Sequence, residues 1–172
     1  MYNFEGNFNP CVCKNKKCQC GEGLHSYVKH YTKILDTMNI KTCYEWGPGK
    51  NTFMCLERNI CVHSKEFDQK WRLKIDNPLY TSELVNVSDT NWKIIETPKK
   101  WDLYFIDSRE RNECLKSVYD VCNYDSLVCL HDAQRIRYYE GLSKFKYVYF
   151  YSRGFCVATK SKEKYEILKK ME

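Results

Sequence analysis

At 172 residues, with 43% hydrophobic and 15% aromatic residues, the chain has the length and composition of one globular domain and not of a disordered segment. Its charge of +6 comes from 28 Lys and Arg against 22 Asp and Glu, spread along the chain and not gathered into the basic patch of a typical nucleic-acid binder. No apolar run approaches the roughly 20 residues of a membrane span, and Met1–Cys20 is too polar for a signal peptide, so the expectation is a cytoplasmic protein with no membrane partner.

The chain divides into a Cys-rich N-terminal segment, residues 1–21, and a single domain, residues 22–172. In the segment, Cys11, Cys13, Cys18 and Cys20 form two Cys-x-Cys pairs interleaved with lysines. Four thiolates within ten residues suit one tetrahedral Zn²⁺, although the spacing is tighter than common zinc knuckles. Free thiols and disulfides remain the other readings of this cluster. The total of eleven cysteines is odd. Cys43, Cys55, Cys61, Cys122, Cys129 and Cys156 fall in apolar patterns, where cysteine acts as a small hydrophobe, so reduced core thiols are expected.

Leu24, Tyr27, Val28, Tyr31, Ile34 and Leu35 recur at a spacing near 3.6, which predicts an amphipathic helix over Glu22–Met38. The β-prone run Ile40–Cys43 reads as the first strand. Tyr44–Thr52 follows as a glycine turn, and Phe53–Asn59 as a short helix. Gly47 and Gly49 flank Pro48 and leave the backbone free to approach a ligand. The N–H groups at the start of the next helix face the same place. Ile60–Ser64 is a second strand, followed by a predicted helix through Trp71 and Leu73. Glu66 lies 17 residues beyond Gly49, near the spacing at which a dinucleotide-type fold sets an acid on the ribose hydroxyls. A solvated glutamate at a helix start is the alternative, and Asp68 competes for the same role.

Asn77-Pro78 ends that helix and Ser82–Val87 supplies a third strand. Ser88 and Asp89 follow at its end, placed to meet an adenine, while Trp92 either stacks on that ring or packs against the protein. Trp101–Ile106 is the strongest strand in the chain and ends in Asp107. A helix is predicted over Glu113–Cys122, a buried strand over Ser126–Leu130, and helical residues over Arg135–Leu142. Lys146–Tyr151 and Gly154–Thr159 form a hairpin, and Ser161–Glu172 a charged tail helix. Strands alternating with helices and closing in a hairpin predict a mostly parallel α/β sheet with an antiparallel edge.

In such a sheet, ligands gather at the carboxyl ends of the strands. Those ends carry Glu45–Gly49, Glu66, Ser88–Asp89, Asp107–Arg109 and His131–Arg135. From Leu24 to Lys160 the pattern resembles the class I S-adenosylmethionine (SAM) dependent methyltransferases. Glu45-Trp-Gly-Pro-Gly49 is similar to their acidic residue and glycine-rich loop, and Glu66 to their ribose acid. The Asp107-ended strand and Leu130-His-Asp-Ala-Gln-Arg135 are similar to motifs of glycan O-methyltransferases of the glucuronoxylan type. The resemblance implies a Rossmann-like sheet flanked by helices. It implies SAM held by Glu45, Gly47, Pro48, Gly49, Thr52, Glu66, Ser88 and Asp89. Lys50-Asn51 after the turn departs from the common pattern.

The chemistry implied is methyl transfer to a polar hydroxyl, which is a poor nucleophile until its proton is removed. Asp107 and His131 are the candidate bases. His131 has the side chain suited to neutral pH, with Asp132 or Asp107 to orient it. Arg109 and Arg135 are candidates for binding an acidic group of the substrate. A nucleic-acid or protein acceptor is the second reading, and a methyltransferase-like binding module without catalysis the third.

Overall fold

A computed structural model describes residues 27–86, 88–89, 92–93, 95 and 100–171. The Cys-rich segment and the start of the first predicted helix lie outside the described residues. The elements are α1 (Tyr27–Thr37), β1 (Thr42–Trp46), α2 (Lys50–Leu56), β2 (Cys61–Glu66), β3 (Tyr80–Leu84), β4 (Leu103–Ile106), α3 (Arg111–Val121) and β5 (Leu127–His131). A 3-10 turn (Ile136–Tyr138) then runs into α4 (Tyr139–Leu142), followed by β6 (Tyr147–Ser152), β7 (Phe155–Thr159) and α5 (Lys162–Lys169).

Among the described residues seven strands make one sheet in the order β3-β2-β1-β4-β5-β7-β6. Strands β1 to β5 pair in parallel, and β7 runs antiparallel to both β5 and β6. This is the mostly parallel Rossmann-like sheet with a C-terminal antiparallel hairpin that the alternation of elements predicts. Successive strand side chains point to opposite faces. Cys43, Phe105, Cys129 and Val157 therefore meet α1, α2 and α5 on one side. Tyr44, Tyr104, Val128 and Ala158 meet α3 and α4 on the other. Cys43, Cys55, Cys122, Cys129 and Cys156 are buried, as expected for cysteines in apolar patterns; Cys61 is half-buried, and Cys114, not singled out from sequence, is buried as well.

The structure moves several boundaries for local reasons. β1 runs on through Tyr44-Glu45-Trp46 because β2 and β4 pair with it on both sides up to Trp46. No helix follows β2. The Phe67 and Asp68 N–H groups donate to Glu66 Oε1 at 2.8 and 2.9 Å, and the Lys70 N–H donates to Asp68 Oδ1 at 2.9 Å. Carboxylates that capture nearby N–H groups favour turns over helix. β3 begins early, at Tyr80, where the Leu79 N–H donates to Asn77 Oδ1 and the Tyr80 N–H to the Asn77 carbonyl.

The chain leaves β1 for α2 on one face of the sheet and leaves its neighbour β4 for α3 on the opposite face. The two connections diverge and open a crevice at the carboxyl ends of β1 and β4, the usual ligand position in such sheets. Gly47 shapes that crevice. Its φ is +86°, and a Cβ there would lie 2.4 Å from the Asp107 carbonyl oxygen. At Gly49 a Cβ would meet only Asn51 Oδ1, at 3.4 Å. Gly47 thus serves the approach of two strand ends to each other. Gly47→Ala is expected to lower unfolding free energy by about 2–5 kcal/mol, combining left-handed strain with overpacking. Gly49→Ala is expected to cost under about 1 kcal/mol by the same reckoning. Urea denaturation of the two variants checks the contrast.

Candidate active site

A cavity of about 560 Å³ occupies the crevice. The turn after β1 gives it Gly47, Pro48, Gly49, Lys50 and Asn51; the end of β2 gives Glu66, Phe67 and Trp71. Asp107, Ser108, Arg109 and Arg111 enter from β4 and the start of α3, His131 from β5, and Tyr27 from α1. Of the residues singled out from sequence, the structure brings Gly47, Pro48, Gly49, Glu66, Asp107, Arg109 and His131 to this cavity. Glu45, Thr52, Ser88, Asp89, Asp132 and Arg135 do not line it.

Glu45 lies directly beneath the glycine turn and is fully buried. Its Oε1 accepts from Thr52 Oγ1 at 2.6 Å and from Ser64 Oγ, and its Oε2 accepts from Asn51 Nδ2. Thr52 Oγ1 also accepts from the Gly49 N–H at 3.0 Å. The carboxylate therefore ties β1, β2 and the first turn of α2 together and sets the position of the turn. Burial pushes its pKa up to about 7; the Ser64, Thr52 and Asn51 hydrogen bonds oppose that rise, and the nearby Asp107 charge adds to it.

Glu66 sits at the end of β2, with Oε1 held by the two N–H groups of the following turn. That brace fixes the carboxyl and leaves Oε2 free of hydrogen bonds among the described residues. Phe67 carries the Arg109 guanidinium 5.0 Å above its ring, and Trp71 stands 68% exposed at the cavity wall. Ser88 and Asp89 are exposed on the loop after β3, where their N–H groups donate to Asn86. Trp92 is 5% exposed and its carbonyl accepts from Trp46 Nε1, so it packs into the core.

Asp107 and His131 end the paired strands β4 and β5. His131 Nδ1 lies 3.1 Å from Asp107 Oδ1, close enough for an ion pair when the imidazole is protonated, although the two are not aligned as a hydrogen bond. The buried Arg111 guanidinium was not anticipated from sequence. It donates through Nη2 to Asp107 Oδ1 and, at 3.3 Å, to Asp132 Oδ2; through Nη1 it donates to the Ser108 carbonyl and, at 3.2 Å, to the Tyr138 hydroxyl. Asp132, at φ +58°, also pairs with Arg135 Nη2 at 2.9 Å. Asp132 and Arg135 thus brace one another and the Arg111 side chain. The Tyr27 ring lies 4.9 Å from the His131 ring, and its hydroxyl pKa is pushed up to about 12, chiefly by burial and then by the Asp107 and Glu45 charges.

The four N-terminal cysteines lie outside the described residues. Among the described residues no group of three or more His, Cys, Asp or Glu side chains is arranged to hold a metal ion. No described helix is long and apolar enough to cross a membrane.

No family model and no curated protein matches the sequence. Solved structures do match the fold. The chain is similar to a TehB-like SAM-dependent methyltransferase from Corynebacterium glutamicum, with a TM-score of 0.55 at 13% identity over 77% of this chain and 88% of that one. It is also similar to the spermidine synthase of Thermotoga maritima, with a TM-score of 0.56 at 16% identity over 80% of this chain and 58% of that one. At such identities the likeness is one of fold: a mostly parallel Rossmann-like sheet flanked by helices, shared with both structures.

The Glu45 brace has a measurable signature. A carboxyl whose pKa rises from the ordinary 4.5 to about 7 on folding stabilises the protein fully below pH 4.5 and loses that contribution as the pH climbs to about 7. The change amounts to about 3 kcal/mol. Glu45→Gln keeps an acceptor for Thr52 and Ser64 and removes the titration. Urea midpoints of the parent protein are expected to fall across this window relative to those of Glu45→Gln.

Proposed function

We propose that the protein is a SAM-dependent methyltransferase that O-methylates a polar hydroxyl acceptor, in the first instance on a glycan. The observation that carries this reading is the His131–Asp107 pair, 3.1 Å apart, on the wall of the same cavity that holds Glu66 and the glycine turn. A volume of about 560 Å³ falls within the roughly 300–1,000 Å³ of small-molecule sites. Glu66 suits the group, because a fixed carboxyl with an oxygen free of hydrogen bonds accepts from ribose hydroxyls. Phe67 and Trp71 suit it by offering ring faces beside that carboxyl. When bound, SAM supplies a methyl on a sulfonium, whose carbon–sulfur bond breaks with its electrons staying on sulfur to leave S-adenosylhomocysteine.

The protein's part is position and proton removal. His131 Nδ1 is buried against Asp107, so Nε2 is the nitrogen left to take the acceptor's proton as the new carbon–oxygen bond forms. Asp107, held in place by Arg111, keeps the ring oriented and stabilises the imidazolium that results. Core cysteines kept as buried thiols support a reducing compartment such as the cytoplasm.

Calorimetry with SAM tests the cofactor assignment. Micromolar binding is expected, weakened about 10- to 100-fold in Glu66→Ala, the effect of losing hydrogen bonds to a charged group. No binding, or binding unchanged in Glu66→Ala, would sink the proposal. Methyl transfer to a panel of sugars, RNA and peptides then identifies the acceptor. His131→Ala is expected to reduce kcat by about 10²–10⁴ with SAM affinity unchanged. Transfer to RNA or peptide alone would replace the glycan reading, and SAM binding without transfer to any of them would favour a non-catalytic module.

A further inference from the structure

A second, smaller cavity of about 230 Å³ adjoins the first. It is lined by Arg109, Glu110, Arg111, Asn112, Glu113, Arg137 and Tyr138, so Arg109 and Arg111 border both spaces. Its hydrogen-bonding capacity is unbalanced toward donors. Arg111 is 7% exposed and its Nε–H is buried with no partner among the described residues. Tyr138 is 1% exposed, and its hydroxyl oxygen accepts from Arg111 Nη1 at 3.2 Å and Arg137 Nη2 at 2.9 Å. With both of those bonds directed at the oxygen, the Tyr138 O–H has no acceptor among the described residues. Arg137 lies 5.0 Å over the Tyr138 ring and Arg109 5.0 Å over the Phe67 ring, and neither guanidinium pairs with a carboxylate among the described residues. Of the two acids at the edge, Glu113 is paired with Lys116 at 3.0 Å and Glu110 is exposed.

Buried donors without acceptors are costly and mark a place where an acceptor belongs. The donors come from four side chains rather than from one planar fork. That arrangement suits a group with three terminal oxygens better than a two-oxygen carboxylate. We propose that this cavity binds a phosphoryl group of the methyl acceptor, with Arg137 and Arg109 as its charge partners and the Tyr138 hydroxyl and the Arg111 guanidinium at its inner wall. The acceptor is then a small phosphorylated polyol whose hydroxyl reaches His131 from the adjoining cavity. The identity of the acceptor rests on the methyl-transfer reading; the phosphoryl site itself does not. Sequence singled out Arg135 as the second arginine, but its guanidinium is engaged by Asp132, and Arg137 holds the cavity instead.

The probes are inorganic phosphate, glucose 1-phosphate, glucuronate and glucose, titrated into the full chain by NMR or calorimetry with no SAM present. Glucose 1-phosphate is expected to bind at least about tenfold more tightly than glucose or glucuronate, and Arg137→Gln to lose that preference. Inorganic phosphate is expected to compete for the same site. Arg137→Lys is expected to recover only part of the preference, since an ammonium keeps the charge without the fork. Lys162→Gln, on the exposed face of α5, removes the same charge elsewhere and is expected to change nothing. Equal binding of glucose and glucose 1-phosphate, glucuronate binding as tightly as the phosphate, no binding of any probe, or a preference that survives Arg137→Gln overturns the site. Because SAM is absent from this titration, a phosphate preference stands even where SAM binding fails, and SAM binding stands even where the preference is missing.

Discussion

The carboxyl end of the sheet is organised by one buried cation. Arg111 opens α3, where the helix dipole disfavours positive charge, and its side chain is almost wholly removed from water. A buried guanidinium persists only when carboxylates and neutral acceptors surround it. Asp107 at the end of β4 and Asp132 just past β5 supply the charge, while the Ser108 carbonyl and the Tyr138 hydroxyl supply the rest. The requirement works in both directions: two acids at neighbouring strand ends repel each other until the arginine lies between them. Its position therefore fixes Asp107, and through Asp107 the distance to His131.

Glu45 plays the corresponding part on the other side of the crevice, by the opposite means. No cation pairs with it among the described residues. Burial raises its pKa, and the hydroxyl and amide donors from β2 and α2 that hold it offset only part of that rise. The glycine turn above it is consequently positioned by a group that does not face the cavity. Gly47 completes the arrangement by letting the Asp107 carbonyl approach β1. The two braces meet at the switch point between β1 and β4.

The strands and their alternation with helices were legible because hydrophobic period is a local property, and it fixed the sheet, its C-terminal hairpin and the rim on which polar residues gather. Asp107 and His131 could be placed for the same reason, since each follows a run of apolar residues, and Glu66 by its spacing from Gly49. What sequence missed depends on partners distant along the chain. Glu45 reads like a ligand residue beside a glycine turn, and only the folded positions of Ser64 and Thr52 show it to be internal. Arg111 reads like a solvated residue of a charged stretch, and its burial follows from Asp132, 21 positions away. The helix expected after β2 was lost to Glu66 and Asp68, whose carboxylates capture N–H groups that a helix would need. Arg135 and Arg137 differ by two positions at a 3-10 turn, where neither helical nor strand period says which one faces a cavity.

The titratable groups of the main cavity also sort by the proton chemistry open to them. Tyr27 is held protonated by burial and by the carboxylates near it, so at neutral pH it donates and cannot take a proton from an acceptor. Asp107 is committed at Oδ1 to the Arg111 guanidinium. Glu66 is committed at Oε1 to the turn after β2 and lies at the next strand but one from β4 in the sheet. Lys50, Arg109 and Arg111 line the cavity with hydrogen-bond donors. His131 has one nitrogen buried against a fixed carboxylate, the arrangement on which the proposed proton transfer rests. The ion pair that holds the ends of β4 and α3 together also sets the carboxylate beside His131, so one arrangement of charges serves both the fold and the proton transfer proposed for it.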